Sequence, residues 1–429
     1  MTALKLGIAG LGHVGCGLIK LIGQQDVLRL PGKVSIAGVT ARSRSRSRSV
    51  AIDTYGWFDS AEALAADPDV DVFVELIGGS DGPAKLAVEA ALSAGKPVVT
   101  ANKALIAEHG TALATLAQAN GVDLLFEAAV AGGIPVVRVL RDSLSGIAVK
   151  RVSGILNGTC NFLTSEMLAS GRPYDAVLKE AQALGYAEAD PALDVSGLDA
   201  AHKAAILSAI AFSADIDFDK VSVSGVEDLD VMDLQFADRL GYTVKLIAEG
   251  IETPLGVVCR VEPKALPLGH DLARIGGSLN TVRIEGEPLG AVTLTGPGAG
   301  AGPTASAVMG DIAKLFRPSA RSAFGSAAHH MRRQFIEPTE EETSPWFLRA
   351  RLADKSGSLA ALSEVLADEG VSIDKLMQDS AGPDAASPIA IVTHECTKAS
   401  VARAVNKLQN QDTLVDTPRL IRIETGQSN

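Results

Sequence analysis

The fold is decided by residues 4–15, which read Leu4-Lys5-Leu6-Gly7-Ile8-Ala9-Gly10-Leu11-Gly12-His13-Val14-Gly15. An apolar, strand-like run is followed by the GxGxxG spacing, at the point where a helical pattern begins. The first glycine of such a turn allows a tight bend, the second lets the backbone approach a pyrophosphate, and the third lets the helix pack on the strand. We therefore predict a dinucleotide-binding domain, and we expect six cofactor contacts in this loop: Gly10, Leu11, Gly12, His13, Val14 and Gly15.

Strands and helices continue to alternate up to about residue 130. Strand-like runs at 34–39, 70–76 and 97–100 are accompanied by an Ala-rich helical run at 84–94. This alternation is typical of a doubly wound parallel sheet, in which ligands bind at the carboxyl ends of the strands. The turns at those ends supply three further candidate cofactor contacts: Gly79, Ser80 and Thr100.

The end of the second strand carries arginines where an NAD-specific site usually carries an acid. Residues 40–48 read TARSRSRSR. Arginine forks and serine hydroxyls suit a 2′-phosphate, so we predict a preference for NADP, with NAD also possible. Arg42 and Arg44 are the expected contacts, and the distal Arg46 and Arg48 are expected to lie in an exposed loop.

Composition excludes several classes of protein. With 429 residues, 47% of them hydrophobic and 21% charged, the chain is expected to fold into two or three globular domains. An aromatic content of 4% and a net charge of −12 argue against a nucleic-acid partner. The chain enters a strand without a signal peptide and has no membrane-length apolar run, and its four cysteines form no CxxC pair. We therefore expect a cytoplasmic protein with free thiols and no membrane partner.

The stretch most informative for function is residues 186–203, which read YAEADPALDVSGLDAAHK. Four carboxylates precede one lysine, and Asp199 and Lys203 share a helix face because they are four residues apart in an Ala-rich run. This spacing suits a site in which acids hold a substrate ammonium and a lysine gives a proton to a nascent alkoxide. An isolated pair of this kind is more often an ion pair on an exposed helix.

The stretch closely resembles the signature of the homoserine dehydrogenase family, GYAEADP followed by DxxGxDAxxK. Residues 100–103 match the family's TANK segment, residues 157–161 resemble its NGTxN segment, and the resemblance spans essentially the whole chain. It implies the NADPH-dependent, reversible reduction of L-aspartate 4-semialdehyde to L-homoserine, a step in threonine, methionine and isoleucine biosynthesis.

The resemblance also implies roles for individual residues. Lys203 would protonate the alkoxide, Asp199 would orient Lys203, and Lys103 would assist. The implied substrate-binding residues are Glu188, Asp194, Tyr186, Thr159 and Gly158. Gly185 and Gly302 would lie near the nicotinamide. A structural sodium ion would be bound by oxygen atoms, which suit a hard cation: the carboxylate of Glu127 and the backbone carbonyls of Val130, Gly132 and Ile134.

The C-terminal part of the chain resembles an ACT domain. A strand at 346–352 is followed by a turn at 354–357, an amphipathic helix and a second strand from residue 370. Such domains bind an amino acid at this turn, where Ser356 and Ser358 stand in place of the usual proline and valine. We predict L-threonine as an inhibitory effector.

We thus predict an α/β protein with three domains. A Rossmann-type doubly wound nucleotide domain would cover residues 1–130, with a return helix at about 303–317. An α+β substrate and dimerisation domain would cover 131–302, and a linker, 318–345, would lead to a ferredoxin-like ACT domain, 346–429. A homodimer or homotetramer is expected.

Two alternatives remain open at this point. A sugar or inositol dehydrogenase would share the first domain, but it predicts neither the acidic string at 188–191 nor an ACT-like tail. A non-catalytic amino-acid sensor predicts the loss of a catalytic lysine, whereas both Lys103 and Lys203 are present.

Overall fold

The computed structural model describes residues 3–317, 322–327, 330–331, 333–381 and 386–425. The first module contains six strands and four helices. In chain order they are β1 (Ala3–Ala9), α1 (His13–Ile22), β2 (Lys33–Thr40), β3 (Gly56–Trp57), α2 (Ala61–Ala66), β4 (Val72–Glu75), α3 (Pro83–Ser93), β5 (Val98–Thr100), α4 (Lys103–Ala119) and β6 (Leu124–Leu125).

The six strands form one parallel sheet in the order β3-β2-β1-β4-β5-β6. This doubly wound order confirms the predicted Rossmann-like domain, and its topological switch point lies between β1 and β4. The loops that follow these two strands, residues 10–15 and 76–80, therefore meet at the edge where a dinucleotide binds.

The second module is built around an antiparallel sheet. Its elements are α5 (Val136–Arg138), β7 (Ala148–Ile155), α6 (Gly158–Ser170), α7 (Tyr174–Ala183), α8 (Ala192–Val195), α9 (Leu198–Phe212), β8 (Ala214–Asp215), β9 (Ser222–Val223), α10 (Val231–Arg239), β10 (Tyr242–Glu252), β11 (Val257–Pro267), β12 (Leu279–Glu287), β13 (Gly290–Pro297), α11 (Ala301–Lys314), β14 (Arg333–Ile336) and β15 (Thr343–Ser344). The central strands run β13-β12-β7-β10-β11. The buried helix α9 packs on this sheet and corresponds to the helix predicted from Asp199 onward.

The chain returns to the first module through α11, which corresponds to the helix predicted at about 303–317. This helix packs on α1 and shares its apolar core, including Leu18, Ala305 and Ile312. The two helices approach closely at Gly17, where a Cβ atom would lie 3.0 Å from the carbonyl oxygen of Ala301.

The third module has the β-α-β-β-α-β order of the predicted ACT domain. It consists of β16 (Trp346–Ala353), α12 (Ser358–Asp368), β17 (Ile373–Gln378), β18 (Ala386–Thr393), β19 (Cys396–Thr397), α13 (Lys398–Gln409) and β20 (Arg419–Ile423). Its four main strands form an antiparallel sheet in the order β20-β16-β18-β17, and α12 and α13 share a separate apolar core with it.

The ACT sheet is continuous with the sheet of the second module, because β20 pairs in parallel with β11 through Lys264–Arg422 and Ala265–Ile423. The segment predicted as a linker, 318–345, contributes one strand to the large sheet and one strand to a separate two-stranded sheet. Within it β14 pairs with β8 and β11, and β15 pairs with β19.

Two predictions about the chain as a whole can be compared with this fold. All four cysteines are buried and unpaired, as expected for free thiols. Across the described ranges, we find no helix with both the length and the apolar character that crossing a bilayer requires.

Candidate active site

Two adjoining cavities follow the carboxyl edge of the parallel sheet. The wider one, about 680 Å³, is lined by the glycine loop and the segment after β2. The narrower one, about 280 Å³, is lined by residues from α1, α4, α9 and α11. Both cavities include residues 76–78, the turn after β4. A dinucleotide at the switch point would therefore span the wide cavity and reach the narrow one.

The glycine loop has the geometry that its sequence predicts. Gly10 has a φ of +105°, and a Cβ atom there would lie 2.2 Å from the carbonyl oxygen of Leu76. A Cβ atom on Gly15 would lie 2.1 Å from the carbonyl oxygen of Gly10, whereas Gly12 has open space around it. The loop thus fits tightly at its first and third glycines and leaves the second open to a ligand. His13 is exposed at the start of α1.

The turn after β4 is held by Glu75, a residue that sequence reasoning did not single out. Its buried carboxylate accepts hydrogen bonds from the backbone N–H groups of Ile77 (2.6 Å) and Gly78 (3.1 Å) and from the hydroxyl of Thr100 (2.5 Å). Burial raises the pKa of this carboxyl group. Thr100 is fully buried and therefore shapes the edge of the cavity from behind. Its neighbour Asn102 donates to the carbonyl oxygen of Gly79 (2.7 Å).

The arginine-rich loop differs in part from the prediction. Arg42 lines the wide cavity, but so do Arg46 and Arg48, which were expected in an exposed loop away from it. The reason is that the Arg48 guanidinium donates to the carbonyl oxygens of Arg44 (3.1 Å) and Arg46 (2.8 Å) and so curls the loop back on itself. The Arg44 guanidinium instead lies over the ring of Trp57, at 5.7 Å from its centroid.

The narrow cavity contains two lysines joined by one carboxylate. Lys203 Nζ donates to Asp199 Oδ2 (2.6 Å) and to the carbonyl oxygen of Leu156 (2.7 Å). Lys103 Nζ lies 3.2 Å from Asp199 Oδ1. Asn102 caps α4 by accepting from the N–H of Leu105 (3.1 Å), which places Lys103 at the first turn of that helix. The three predicted catalytic residues are therefore in direct contact.

A second carboxylate is connected to this cluster through Asn157. The amide Nδ2 of Asn157 donates to Asp199 Oδ2 and to Asp194 Oδ1, each at 2.8 Å. Burial would raise the pKa of Asp199, but the charges of Lys203 and Lys103 outweigh it and hold that pKa well below its usual range. Burial and the charge of Asp199 raise the pKa of Asp194. One acid is thus held firmly ionised beside the lysines, and the other is closer to neutrality.

Asn157 is a residue of this cluster that sequence reasoning did not single out, although it begins the NGTxN segment. It does cap α6, accepting from the N–H of Cys160 (2.8 Å), and its Nδ2 atom is free to hold both acids. The sequence signal that points to this residue is the NGTxN segment, which begins with Asn157. Next to it, Thr159 donates to the carbonyl oxygen of Tyr186 (2.7 Å) and lies 3.3 Å from Asp194 Oδ2. Gly158 lies close to Ser278: a Cβ atom on Gly158 would be 2.5 Å from the carbonyl oxygen of Ser278.

Several predicted site residues lie outside the lining of both cavities. Gly79, Gly185, Tyr186, Glu188 and Gly302 are exposed, and none is among the described residues that line either cavity. Gly158, Thr159 and Asp194 are not among them either, although Asp194 is hydrogen-bonded to Asn157 and Thr159. Neighbours of Gly302, including Thr304, do line the narrow cavity. The structure therefore brings the two lysines and Asp199 together in the narrow cavity and leaves these other residues outside its lining.

The predicted sodium segment encloses a buried acid. The Glu127 carboxylate accepts from the backbone N–H groups of Val137 and Arg138, each at 2.9 Å. Burial, together with the charge of Asp311, raises the pKa of Glu127 to about 7. The segment turns tightly, since Ala131 and Gly132 have φ values of 53° and 50°. Each carboxylate oxygen keeps lone pairs, and Glu127 shares the one guanidinium of Arg138 (3.8 Å) with Asp311 (3.2 Å), so these residues fit an additional small hard cation.

Family models and a full-length relative both identify similarity to homoserine dehydrogenases. Residues 135–313 match the family model described as homoserine dehydrogenase, residues 10–127 match that of the homoserine dehydrogenase NAD binding domain, and residues 346–412 match the ACT domain model. The homoserine dehydrogenase of Neisseria gonorrhoeae is 38% identical over 434 residues, which cover 99% of each chain.

Solved structures give the same result. The crystal structure of a homoserine dehydrogenase from Thiobacillus denitrificans aligns with a TM-score of 0.90 and 35% identity, covering 98% of each chain. A hyperthermophilic archaeal homoserine dehydrogenase mutant in complex with NADPH aligns with a TM-score of 0.64 and 28% identity, covering 74% of this chain and all of that one.

Proposed function

Because this chain belongs to the homoserine dehydrogenase family, we propose a specific reaction and a role for each site residue. The chain is an NAD(P)-dependent oxidoreductase that acts on a CH–OH group, and it carries an ACT domain. The proposed reaction is the reversible reduction of L-aspartate 4-semialdehyde to L-homoserine with NADPH. The observation that supports it best is the contact of Lys203, Asp199 and Lys103 in a cavity that adjoins the nucleotide cavity.

Lys203 is assigned as the proton donor in the reductive direction. The bound nicotinamide supplies the hydride to the aldehyde carbon, and the carbonyl oxygen gains negative charge. An ammonium group has three N–H donors, and Asp199 and the Leu156 carbonyl take two of them. The third donor is available to the substrate oxygen, so the lysine can stabilise the alkoxide and then protonate it. In the oxidative direction the same nitrogen accepts the proton.

Asp199 and Lys103 support this step. Asp199 fixes the position of Lys203 and, as a firmly ionised carboxylate, provides its counter-charge. Lys103 is close to the other oxygen of Asp199 and is more exposed, so it can neutralise charge near the nicotinamide or pass a proton to solvent.

The substrate-binding roles come from the family signature and from the position of α6. We assign the substrate ammonium to Glu188 and Asp194, with Tyr186 in support. We assign its carboxylate to Gly158 and Thr159, because they begin α6, where free N–H groups favour an anion. Gly185 and Gly302 are assigned to the nicotinamide border.

NADPH is proposed as the preferred cofactor. Three arginine side chains line the wide cavity after β2, and no carboxylate directly follows that strand. The NADPH complex of the archaeal relative is consistent with this choice. Arg42 is assigned to the 2′-phosphate, with Arg44 holding the loop through Trp57. The glycine loop, Gly79, Ser80 and Thr100 contact the cofactor or shape its site.

The finer features of the cation, the effector and the assembly are also proposed. Glu127 and the carbonyl groups of Val130, Gly132 and Ile134 would hold sodium, which would add positive charge to an acid that shares Arg138 with Asp311. L-threonine would bind at the ACT turn, residues 354–357, where Gly357 adopts a φ of 91°. A cytoplasmic homodimer or homotetramer is the proposed assembly.

The reaction and the proton donor are tested together. The initial rate of NADPH oxidation with L-aspartate 4-semialdehyde would be measured for wild type, Lys203→Ala and the surface control Lys220→Ala. We expect turnover in wild type and control and a loss of at least about 1,000-fold in kcat for Lys203→Ala, with NADPH binding retained. Equal rates would remove Lys203 from the chemistry. A folded wild type that binds NADPH but shows no turnover would favour the sensor alternative.

A further inference from the structure

A third cavity lies between the second module and the ACT domain of the same chain. Its volume is about 250 Å³, slightly below the range of drug-sized sites, so it suits a ligand the size of an amino acid. One wall comes from residues 224–229 and from β11, and the other comes from the start of β16 and from β20.

This cavity is separate from the turn at which ACT domains bind their effectors. Trp346, which lines it, is the first residue of β16, whereas the turn at 354–357 follows the last residue, Ala353. At about 3.3 Å per strand residue, the two places are roughly 23 Å apart. A ligand here would therefore contact the second module and the ACT domain of a single chain.

The wall of the cavity carries balanced charges. Arg419 and Arg422 supply guanidinium donors, and Asp228 and Glu262 supply carboxylates. Asp228 is largely free for a ligand, since its side chain is 85% exposed, and Arg419 Nη1 is 3.8 Å from it. Glu262 is already paired with Arg422 (3.0 Å) and Arg260 (3.4 Å), so Arg419 and Asp228 are the charges that face a ligand. One cation and one anion on a small surface favour a zwitterion over a simple anion or cation.

A buried donor in this wall has no partner. Trp346 is only 4% exposed, yet its indole N–H donates to no acceptor within the described residues. The Arg422 guanidinium lies over its ring, at 4.6 Å from the centroid. Oxygen Oε1 of Glu262 also lacks a hydrogen bond, although Arg422 Nε lies 3.0 Å away. Buried polar groups are nearly always paired in native proteins, so a partner for the indole N–H is missing.

We propose that this cavity binds the zwitterion of a small free amino acid. The ligand carboxylate accepts from Arg419 and lies beside the Trp346 indole, and the ligand ammonium donates to the exposed carboxylate of Asp228. The site is an effector pocket formed within one chain by two domains, and it is additional to the ACT turn.

The pocket has a direct structural connection to the active site. The N–H of Val226, in the 224–229 wall, donates to the carbonyl oxygen of Val195 (2.9 Å). A Cβ atom on Gly225 would lie 2.1 Å from that same oxygen, so the two segments are in close contact. Val195 follows Asp194, which Asn157 links to Asp199. A bound amino acid is therefore expected to change the KM for the substrate, and this effect, unlike binding, rests on the proposed function.

Binding is tested by the fluorescence of Trp346 in the full-length protein. The chain has two tryptophans, so Trp57→Phe leaves Trp346 as the only indole. This protein would be titrated with L-threonine, L-isoleucine, L-methionine and L-valine, and with acetate and methylamine as probes of each half of the ligand. We expect a saturable change with at least one amino acid and none with acetate or methylamine at the same concentrations.

Variants locate the site. In the Trp57→Phe background, Arg419→Gln and Asp228→Asn should each weaken binding at least tenfold, whereas Arg403→Gln, on α13 and paired with Glu369, should not change it. Asp354→Asn should leave the fluorescence change of Trp346 unaltered, because Asp354 belongs to the ACT turn. Thermal unfolding would confirm that each variant is folded. If Arg419→Gln is not folded, Asp228→Asn still tests the site, because the Asp228 side chain is 85% exposed.

Several outcomes would overturn the proposal. They are the absence of a saturable change with every amino acid, an equal response to acetate, and a loss of binding in Asp354→Asn but not in Arg419→Gln. Because binding is measured without substrate or cofactor, an inactive enzyme leaves the test intact. In an active enzyme, a KM that is unchanged at saturating ligand would overturn the connection through Asp194.

Discussion

Replacing Asp199 by Asn isolates the contribution of one charge in the active site. In the wild type, Asp199 accepts from Lys203 and Asn157 on one oxygen and faces Lys103 on the other. An asparagine of the same shape can accept on one side only. Its amide NH₂ group must face a lysine or the amide of Asn157, so donor meets donor and two ammonium groups lose their counter-charge.

The size of the effect follows from the burial of this group. Breaking a buried ion pair by removing one partner costs about 3–5 kcal/mol. At about 1.4 kcal/mol per tenfold change in rate, kcat in the reductive direction should fall by about 10²–10⁴.

The assay is kcat and kcat/KM for the reduction of L-aspartate 4-semialdehyde, measured between about pH 6 and pH 10. Asp190→Asn is the matched control, since Asp190 is an exposed acid whose carboxylate accepts from the N–H of Ala192 (3.2 Å) in a turn. The reasoning is refuted if Asp199→Asn retains a kcat within about threefold of wild type, or if Asp190→Asn loses as much activity as Asp199→Asn.

Three further predictions concern stability and cofactor choice. Lys245 is buried, donating to Asn161 Oδ1 (2.9 Å) and Ser165 Oγ (2.7 Å), and desolvation lowers its pKa from 10.5 to about 8. The unfolded chain therefore binds more protons than the folded chain between about pH 8 and pH 10.5. In that window the free energy of unfolding of the wild type, measured by denaturant titration, should rise with pH by about 3 kcal/mol relative to Lys245→Met. The same pH dependence of the free energy of unfolding in both proteins would contradict this. Arg42→Ala should raise the KM for NADPH at least tenfold and leave the KM for NADH nearly unchanged, with Arg29→Ala as an exposed control, and equal changes for both cofactors would remove Arg42 from 2′-phosphate binding. Burial raises the pKa of Glu127 from 4.5 to about 7, so without a cation the folded state loses stability as pH rises through that range. The Tm measured in sodium chloride should therefore exceed the Tm measured in choline chloride, and the difference should be larger at pH 8 than at pH 5 in wild type but not in Glu127→Gln. A difference in Tm that depends on neither pH nor Glu127 would contradict the sodium site.

Local patterns in the sequence predict those parts of the fold that depend on neighbouring residues. The glycine loop, the helix that carries Asp199 and Lys203, and the order of ACT elements each leave a periodicity or a fixed spacing that can be seen within about 20 residues. The contact between Asp199 and Lys203 is of this kind, because four residues on a helix share one face.

The features that sequence reasoning missed depend on distant partners. Asn157 joins two acids that are 37 and 42 residues further along the chain, so no local spacing marks this contact. Arg48 curls its loop through hydrogen bonds to backbone carbonyls, which have no side-chain pattern. The pairing of β20 with β11 joins residues more than 150 positions apart, so no local signal marks it.

The same long-range pairing joins the ACT domain to the second module beside a buried ion cluster. Around Glu249, which is fully buried on β10, the cations Arg151, Arg260 and Lys264 converge. Burial would raise the pKa of Glu249, but these charges hold it well below its usual range. Glu424, just after β20, contacts two of the same cations, Arg151 at 2.7 Å and Lys264 at 3.3 Å.

Arg151 lies on β7, and the residues that directly follow this strand are the two that hold the catalytic cluster, Leu156 through its carbonyl oxygen and Asn157 through its amide. A shift of β20 relative to β11 would separate buried charges, which costs several kcal/mol, unless β7 moved with it. The lower-energy response is a joint movement of the ACT sheet and β7. The ion cluster around Glu249 therefore connects β20 of the ACT domain with β7, the strand that leads directly to Leu156 and Asn157.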